Sequence, residues 1–358
     1  MPQPPRILVA ALDWGLGHAT RCLPIIAELE RQGAEVHLAS AGRAAALWRA
    51  ERPDLPLYDL PPYAVRYATG NMVRNFLPQL PRLVQTVRAE HRTLDRLIAA
   101  HHLDAVISDN RYGCYSRRVP SVFVTHQLRI RMPAPWPSAP ANWVNHRLIR
   151  RFDHCWVPDY AEAPGLAGAL AHGPGLSPAA YVGPLSRFVP TTAPPRYRWL
   201  ALLSGPEPQR TYMENAIIEQ AVTVAGPGLI IGGRPDGPQR IVPSGVTYLP
   251  FATTGELAEL LPAAEVIVCR GGYSTLMDLA VFGSKALLVP TPGQTEQEYL
   301  AGELARGGRV AVQGQATLNL KAGITGARAA SGLGGYAEGG RALRGVVRSV
   351  LPHGGIVQ

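Results

Sequence analysis

EVIVCRGGYSTLMDLAVFGSKALLVPTPGQTEQEY, residues 265–299, is the stretch whose reading decides the fold. Val266 to Cys269 is a short apolar run suited to a buried strand, and Gly271-Gly272 makes a turn. An amphipathic helix ends near Gly283, Ala286 to Val289 is a second strand, and a polar loop follows. The order is that of a βαβ crossover whose turn opens a helix, where backbone N–H groups and the helix dipole attract phosphate. Asp278 lies further along the helix, and Gln297 and Glu298 follow the second strand. Phosphate, a ribose diol and a sugar each find a partner in that series. Read singly, Asp278 is a solvated helix carboxylate and Gln297 and Glu298 are the start of a helix; the ordered set favours a ligand.

Outward from this stretch the same alternation repeats. Toward the N-terminus, Glu256 to Leu261 reads as a helix, Val246 to Leu249 and Leu229 to Ile231 as strands, Tyr212 to Ala225 as a helix, and Trp199 to Leu203 as a strand. Beyond residue 299, 314–340 is Gly/Ala-rich and weakly patterned, and Arg341 to Val350 reads as a final helix. Residues 190–198 are rich in proline and fit a linker. In the first half, Arg6 to Leu12 and Glu35 to Ala39 are strands around a helix from about Cys22 to Gln32, and 43–52 is another helix. Leu55 to Leu60 reads as an edge strand, Leu80 to Ala100 as a long helix, and Ala105 to Ile107 and Val122 to Val124 as strands. Alternating strands and helices predict an α/β protein with two doubly wound, Rossmann-like domains, 1–189 and 199–358, facing each other across a cleft. The final helix has the option of packing back on the first domain. A chain of 358 residues suits two domains.

Composition narrows the class. The cysteines Cys22, Cys114, Cys155 and Cys269 are widely separated, with no CxxC and no His cluster at zinc spacing, which predicts reduced thiols in a cytoplasmic protein. No segment has the apolar length of a membrane span, and the N-terminus lacks the apolar run of a signal peptide. The net charge of +9 is uneven: residues 1–190 carry 21 Arg against 14 acids, or +7, and the rest +2. With no Lys/Arg run and no nucleic-acid module, the basic excess points away from nucleic acid. Residues 129–151 combine Trp136 and Trp143 with Arg129, Arg131, Arg147, Arg150 and Arg151. They suit first a loop that covers the core with its aromatics tucked in, since proline breaks any long amphipathic helix, and second a peripheral contact with the inner face of a membrane or an acidic acceptor.

Chemistry concentrates at strand tips. Gly15-Leu16-Gly17-His18 sits at a strand-to-helix turn, where the dipole favours a neutral imidazole able to take a proton from a hydroxyl. The same turn also fits a histidine that caps or packs. A third glycine, needed for dinucleotide binding, is absent. Asp109, at another strand end, either orients His18 or serves as a loop aspartate. Arg111, His126 and Gln127 lie at the tips that face a ligand in such sheets. Ser204, Gly205 and Arg210 flank a turn suited to a diphosphate, or to a plain βα connection.

The run from Val246 to Tyr299 resembles the nucleotide-sugar half of GT-B glycosyltransferases, especially the family 28 enzymes typified by MurG, the lipid II N-acetylglucosaminyltransferase. The resemblance rests on Leu249-Pro250-Phe251, Ala264-Glu265-Val266 leading to Cys269-Arg270, the glycine turn, an acid eight residues after Arg270, Val289-Pro290, and Gln297-Glu298-Tyr299. More loosely, Gly15-x-Gly17-His18, Thr125-His126-Gln127 and Ser204-Gly205 look like other loops of the family. The resemblance implies that Asp278 binds ribose, that Gln297 and Glu298 bind sugar hydroxyls, and that backbone near Phe251 and Ala252 meets uracil. Two departures stand out: Glu298 replaces a glutamine, and GLGHATR replaces a GTGGH pattern, so the MurG acceptor does not follow.

The expectation is an inverting glycosyltransferase that moves a glucose- or N-acetylglucosamine-type sugar from a UDP-sugar to an acceptor hydroxyl, lipid-linked or at a membrane surface. His18 is the base and Asp109 its orienter. Ser204, Gly205, Arg210, Phe251, Arg270, Gly271, Gly272, Tyr273, Ser274, Asp278, Gln297 and Glu298 hold the donor, while Gly15, Gly17, Arg111, His126 and Gln127 lie on the acceptor side. No DxD triplet occurs, so no metal and no cofactor are expected. The competing readings are a UDP-sugar 2-epimerase of the same fold and a non-catalytic nucleotide-sugar-binding protein.

Overall fold

The computed structural model describes residues 3–63, 77–131, 138–173, 179–334 and 339–351. The chain divides into two compact units, one of residues 1–186 with 338–358 and one of 187–337.

The first unit runs β1 (Arg6–Ala11), α1 (Gly17–Arg31), β2 (Glu35–Ser40), α2 (Gly42–Glu51), β3 (Leu57–Asp59), α3 (Leu80–His101), β4 (Ala105–Asp109), β5 (Ser121–Val124), α4 (Ser138–Ile149), β6 (His154–Val157) and β7 (Ala180–Tyr181). All the strands are parallel, in the order β3-β2-β1-β4-β5-β6-β7. Parallel sheets covered on both faces are built from continuous apolar runs, and Ile7–Ala11 and Ala105–Ile107 are buried throughout. Leu8, Ala10, Val106, Leu94 and Ile98 form one core between the sheet and α3.

The second unit runs β8 (Trp199–Leu202), α5 (Gln209–Gln220), β9 (Gly228–Ile231), β10 (Val246–Leu249), α6 (Thr254–Leu260), β11 (Ile267–Cys269), α7 (Tyr273–Phe282), β12 (Ala286–Leu288), α8 (Thr295–Arg306), β13 (Ala311–Val312) and α9 (Leu320–Ala329). Its strands are also parallel, ordered β10-β9-β8-β11-β12-β13. Trp199, Ala201, Met213, Ile230, Val268, Leu287 and Ile324 share its core. The last helix, α10 (Gly339–Val350), belongs to the first unit and packs on α1, where Gln32 Nε2 donates to the Arg344 carbonyl at 3.0 Å.

The structure departs from the sequence reading in four places. Helix α1 begins at Gly17 rather than Cys22, because Gly15, at φ +88°, turns the chain sharply and the first helical bond, Thr20 N–H to Leu16 O at 3.0 Å, forms at once. Residues 190–198 lie within the second unit, and Arg196 and Tyr197 N–H both donate to the Ala263 carbonyl, so this segment is fastened there. The weakly patterned region after residue 314 contains α9, capped by the Asn319 side chain accepting from Ala322 N–H. Helix α5 starts at Gln209 and ends at Gln220, followed by a single 3₁₀ turn.

Candidate active site

In an open parallel sheet, ligands gather beyond the carboxyl ends of the strands where the winding reverses. In the first unit that point lies between β1 and β4, which are hydrogen-bonded neighbours with Ala11 opposite Asp109. The loop after β1 leads to His18 in the first turn of α1, and β4 ends on Asp109. His18 Nδ1 lies 2.7 Å from Asp109 Oδ1. Asn110, immediately after, takes a left-handed conformation (φ +53°), which asparagine tolerates and which turns the chain away just past the carboxylate.

The sequence reading passed over Arg21. It is buried on α1, one turn after His18, and grips Asp109 with two nitrogens, Nε to Oδ2 and Nη2 to Oδ1. Its Nη1 lies 3.2 Å from His126 Nδ1, so His126 joins the same group. Arg21 Nη2 is also 2.9 Å from His18 Nδ1, but one nitrogen cannot both donate to Asp109 and accept from arginine. The carboxylate is the stronger acceptor for both neighbours, so Nδ1–H donates to Asp109 and the lone pair sits on Nε2. A signal for Arg21 did exist: it shares the apolar face of α1 with Cys22, Ile25 and Leu29, an unusual place for an unpaired cation.

Electrostatics follow from this packing. Burial pulls the His18 pKa below its ordinary value, the Arg21 charge lowers it further, and Asp109 opposes without winning. Burial alone would raise the Asp109 carboxyl, yet the charges and hydrogen bonds of Arg21 and His18 hold it well below the usual range. Burial and the neighbouring Asp109 push the Cys22 thiol far up, so it stays protonated. The site is thus a neutral imidazole backed by an ionised carboxylate, able to accept one proton at Nε2 and to share the resulting charge.

Other expected residues of the first unit fall differently. Gly15 and Gly17 form the turn before His18, and Gln127 lies next to His126, its N–H donating to Thr125 Oγ1. Arg111 is corrected: it is 0 % exposed, and its guanidinium donates to Ala11 O, Pro61 O, Glu90 and Asp13. It braces the β1 loop from behind, with each of its three nitrogens engaged within the first unit. In the 129–151 segment, Trp136 lies outside the described residues, while Trp143 on α4 is 65 % exposed with the Arg147 guanidinium 5.8 Å from its ring.

In the second unit the winding reverses between β8 and β11. The loop after β8 carries Ser204 and Gly205, both exposed, and the turn after β11 carries Arg270 to Gly272. Gly272 precedes α7 without a side-chain cap, and no acid occupies its first turn. Tyr273 is buried, so only its backbone is on offer to a ligand, while Ser274 is half-buried. At Gly271 a Cβ would come 3.3 Å from the Gln297 carbonyl, and this close approach brings α8 against the turn. Asp278 on α7 lies 4.0 Å from Arg187 Nε. Gln297 Oε1 accepts from Thr291 N–H at 2.8 Å and Glu298 Oε1 from Gly293 N–H at 3.0 Å, which fixes both side chains over the loop after β12. Phe251 is 39 % exposed beside buried Ala252.

Arg210 is a second correction. It is buried, with Nε on Glu207, Nη1 on Glu214 and Gly232 O, and Nη2 on Thr211. Each of its three nitrogens is engaged within the second unit, and Glu207 and Glu214 already balance its charge, so Arg210 braces α5. All four cysteines are buried and unpaired, and among the described residues no cluster of His, Cys, Asp or Glu is arranged to hold a metal.

Residues 229–328 match the glycosyltransferase family 28 C-terminal domain. An uncharacterised glycosyltransferase of Methanosarcina acetivorans is 26% identical over 330 residues, spanning 82% of this chain and 79% of that protein. A UDP-N-acetylglucosamine--N-acetylmuramyl-(pentapeptide) pyrophosphoryl-undecaprenol N-acetylglucosamine transferase of Verminephrobacter eiseniae is 30% identical over 181 residues, 44% of this chain and 46% of its own length. Among solved structures, the glycosyltransferase of kitacinnamycin superposes with a TM-score of 0.65 over 97% of this chain and 96% of its own, at 17% identity.

Proposed function

We propose that this chain, a glycosyltransferase of the GT-B, family 28 type, transfers a hexose from a UDP-sugar to an acceptor hydroxyl with inversion. The observation that carries the chemistry is the His18–Asp109 contact of 2.7 Å with Arg21 locked on the same carboxylate. His18 Nε2 takes the acceptor proton as the hydroxyl oxygen attacks the anomeric carbon, and the bond to the diphosphate breaks on the opposite face. Asp109 holds the tautomer and steadies the imidazolium. In the second unit, Asp278 meets the ribose, Gln297 and Glu298 the sugar hydroxyls, the backbone beside Phe251 the uracil, and Arg270 with the start of α7 the departing diphosphate.

The acceptor we favour is lipid-linked. The name of the Verminephrobacter relative specifies a pyrophosphoryl-undecaprenol acceptor, and the first unit carries the larger basic excess together with exposed Leu80, Val84, Trp143 and Val144. None of the described helices is long and apolar enough to cross a membrane, so contact would be peripheral, at the inner face of the cell membrane.

His18→Ala should lower turnover by about 10²–10⁴-fold while leaving the affinity for UDP unchanged, measured as UDP release from UDP-glucose and UDP-N-acetylglucosamine with crude membranes as acceptor. Unaltered turnover would remove the base assignment, whereas a wild type that binds UDP but releases none from either sugar nucleotide would favour a binding protein. We further propose that no metal is required, because arginine and helix dipole supply the positive charge at the diphosphate. Turnover in excess EDTA should equal that in magnesium, and a loss restored by Mg²⁺ refutes this.

A further inference from the structure

Arg270 is 1 % exposed, and its hydrogen bonds go to neutral acceptors alone. Nη1 donates to Val289 O at 2.9 Å and Pro290 O at 3.2 Å, and Nη2 to Gln209 O at 2.8 Å and Gln315 Oε1 at 2.6 Å. Among the described residues no carboxylate forms an ion pair with it, and burial pulls its pKa down to about 10. An interior guanidinium without a counter-charge is costly, and proteins ordinarily supply an anion.

Two polar atoms show where that anion belongs. Arg270 Nε has no hydrogen-bond partner, and neither has Thr291 Oγ1, although Thr291 is only 3 % exposed. Both lie near one point. A Cβ built on Gly205, whose φ is +107°, would stand 3.7 Å from Thr291 Oγ1 and 3.9 Å from Arg270 Nε. With no side chain there, the two donors lie close beneath the exposed Gly205 turn, and Arg270 itself stands two residues before Gly272, the N-cap of α7 that has no side-chain cap. Two neighbouring donors, one of them cationic, select an anionic oxygen.

We propose that Gly205, Arg270 and Thr291 frame a recess for a phosphate oxygen of the donor's diphosphate, which makes Thr291 a donor-binding residue. The ligand's identity as a nucleotide sugar rests on the function proposed above. The recess itself asks only for a phosphate. On binding, the anion completes the hydrogen bonding of Arg270, which already ties Gln209, Val289, Pro290 and Gln315 together, so the same event neutralises a buried charge and tightens these loops.

Calorimetric titration of the full-length protein with UDP, uridine and inorganic pyrophosphate separates the two ideas. Thr291→Val keeps the shape and removes the hydroxyl, and it should weaken UDP and pyrophosphate about tenfold while leaving uridine unchanged. Thr291→Ser keeps the hydroxyl and should bind all three as the wild type does. If the valine variant binds UDP and pyrophosphate normally, the recess holds only structural water and the proposal falls, with the donor reading intact. Equal losses in both variants assign the effect to packing and also overturn it. A wild type that ignores uridine and UDP but binds pyrophosphate through Thr291 sustains the recess and refutes the uridine donor. Failure to bind any of the three overturns both.

Discussion

His18 is a weak base by construction. Its carboxylate partner is already held by the two-pronged grip of Arg21, so Asp109 has less negative charge to lend the imidazole than in a simple His–Asp pair. Burial and the Arg21 charge both lower the His18 pKa. A base whose pKa is lowered stays unprotonated, and so active, to pH values below the ordinary imidazole range near 6.5. Arg21→Met removes the charge and retains the stem, so the acid limb of kcat/KM should move to higher pH. The change should also cost about 3–5 kcal/mol of stability, because a buried carboxylate loses its main partner. A pH–rate profile of the variant with an unmoved or lowered acid limb contradicts this account. Arginine is also where the sequence misled. Arg111 and Arg210 stand beside expected ligand loops and turned out to be bracing groups, whereas Arg21, to which the sequence reading gave no role, completes the site. For Arg111 no linear spacing states that the guanidinium is satisfied from behind, because Glu90 arrives from α3; for Arg210 the partner Glu214 is four residues on along the same helix, a spacing that was legible in the sequence.

At the level of elements, both sheets place their chemistry by the same device: a central strand whose two neighbours wind outward in opposite senses, β1 beside β4 and β8 beside β11. The repeated strand–helix alternation was visible in the sequence, as were the glycine turns, because these follow from local periodicity and backbone geometry. Strand order was not, and it is strand order that brings Asp109 to His18 and the Gly205 turn to Arg270. Helix α10 is the remaining non-local element. Leu343, Val347 and Val350, spaced four and three residues apart, are buried on one face, and the helix packs on α1, which carries His18. Leu343→Ala should cost about 2–5 kcal/mol and speed hydrogen exchange in β1 and α1. Exchange in β8 to β13 should stay at the wild-type rate, and an equal rise in both sets would show that α10 does not act locally.

For the whole molecule, the two units differ in how the chain builds them. The second, 187–337, is a single continuous run with its own sheet and core, whereas the first is closed by 338–358, more than 150 residues beyond its main body. Two consequences separate. A chain of residues 187–337 has every strand of its sheet and all the residues assigned to the donor, from Ser204 to Glu298, so it should fold alone and bind UDP within a few-fold of the full protein. It lacks His18 and should transfer nothing. A chain of residues 1–186 lacks α10 and leaves apolar surface of α1 uncovered, so it should be less stable than the same chain joined by a flexible linker to 338–358. Thermal melts and UDP titration of the three products test both statements. UDP binding that vanishes in the isolated second unit, although its circular dichroism is that of a folded domain, would mean that residues of the first unit contribute to holding the nucleotide, and the assignment of the donor to the second unit alone would fail.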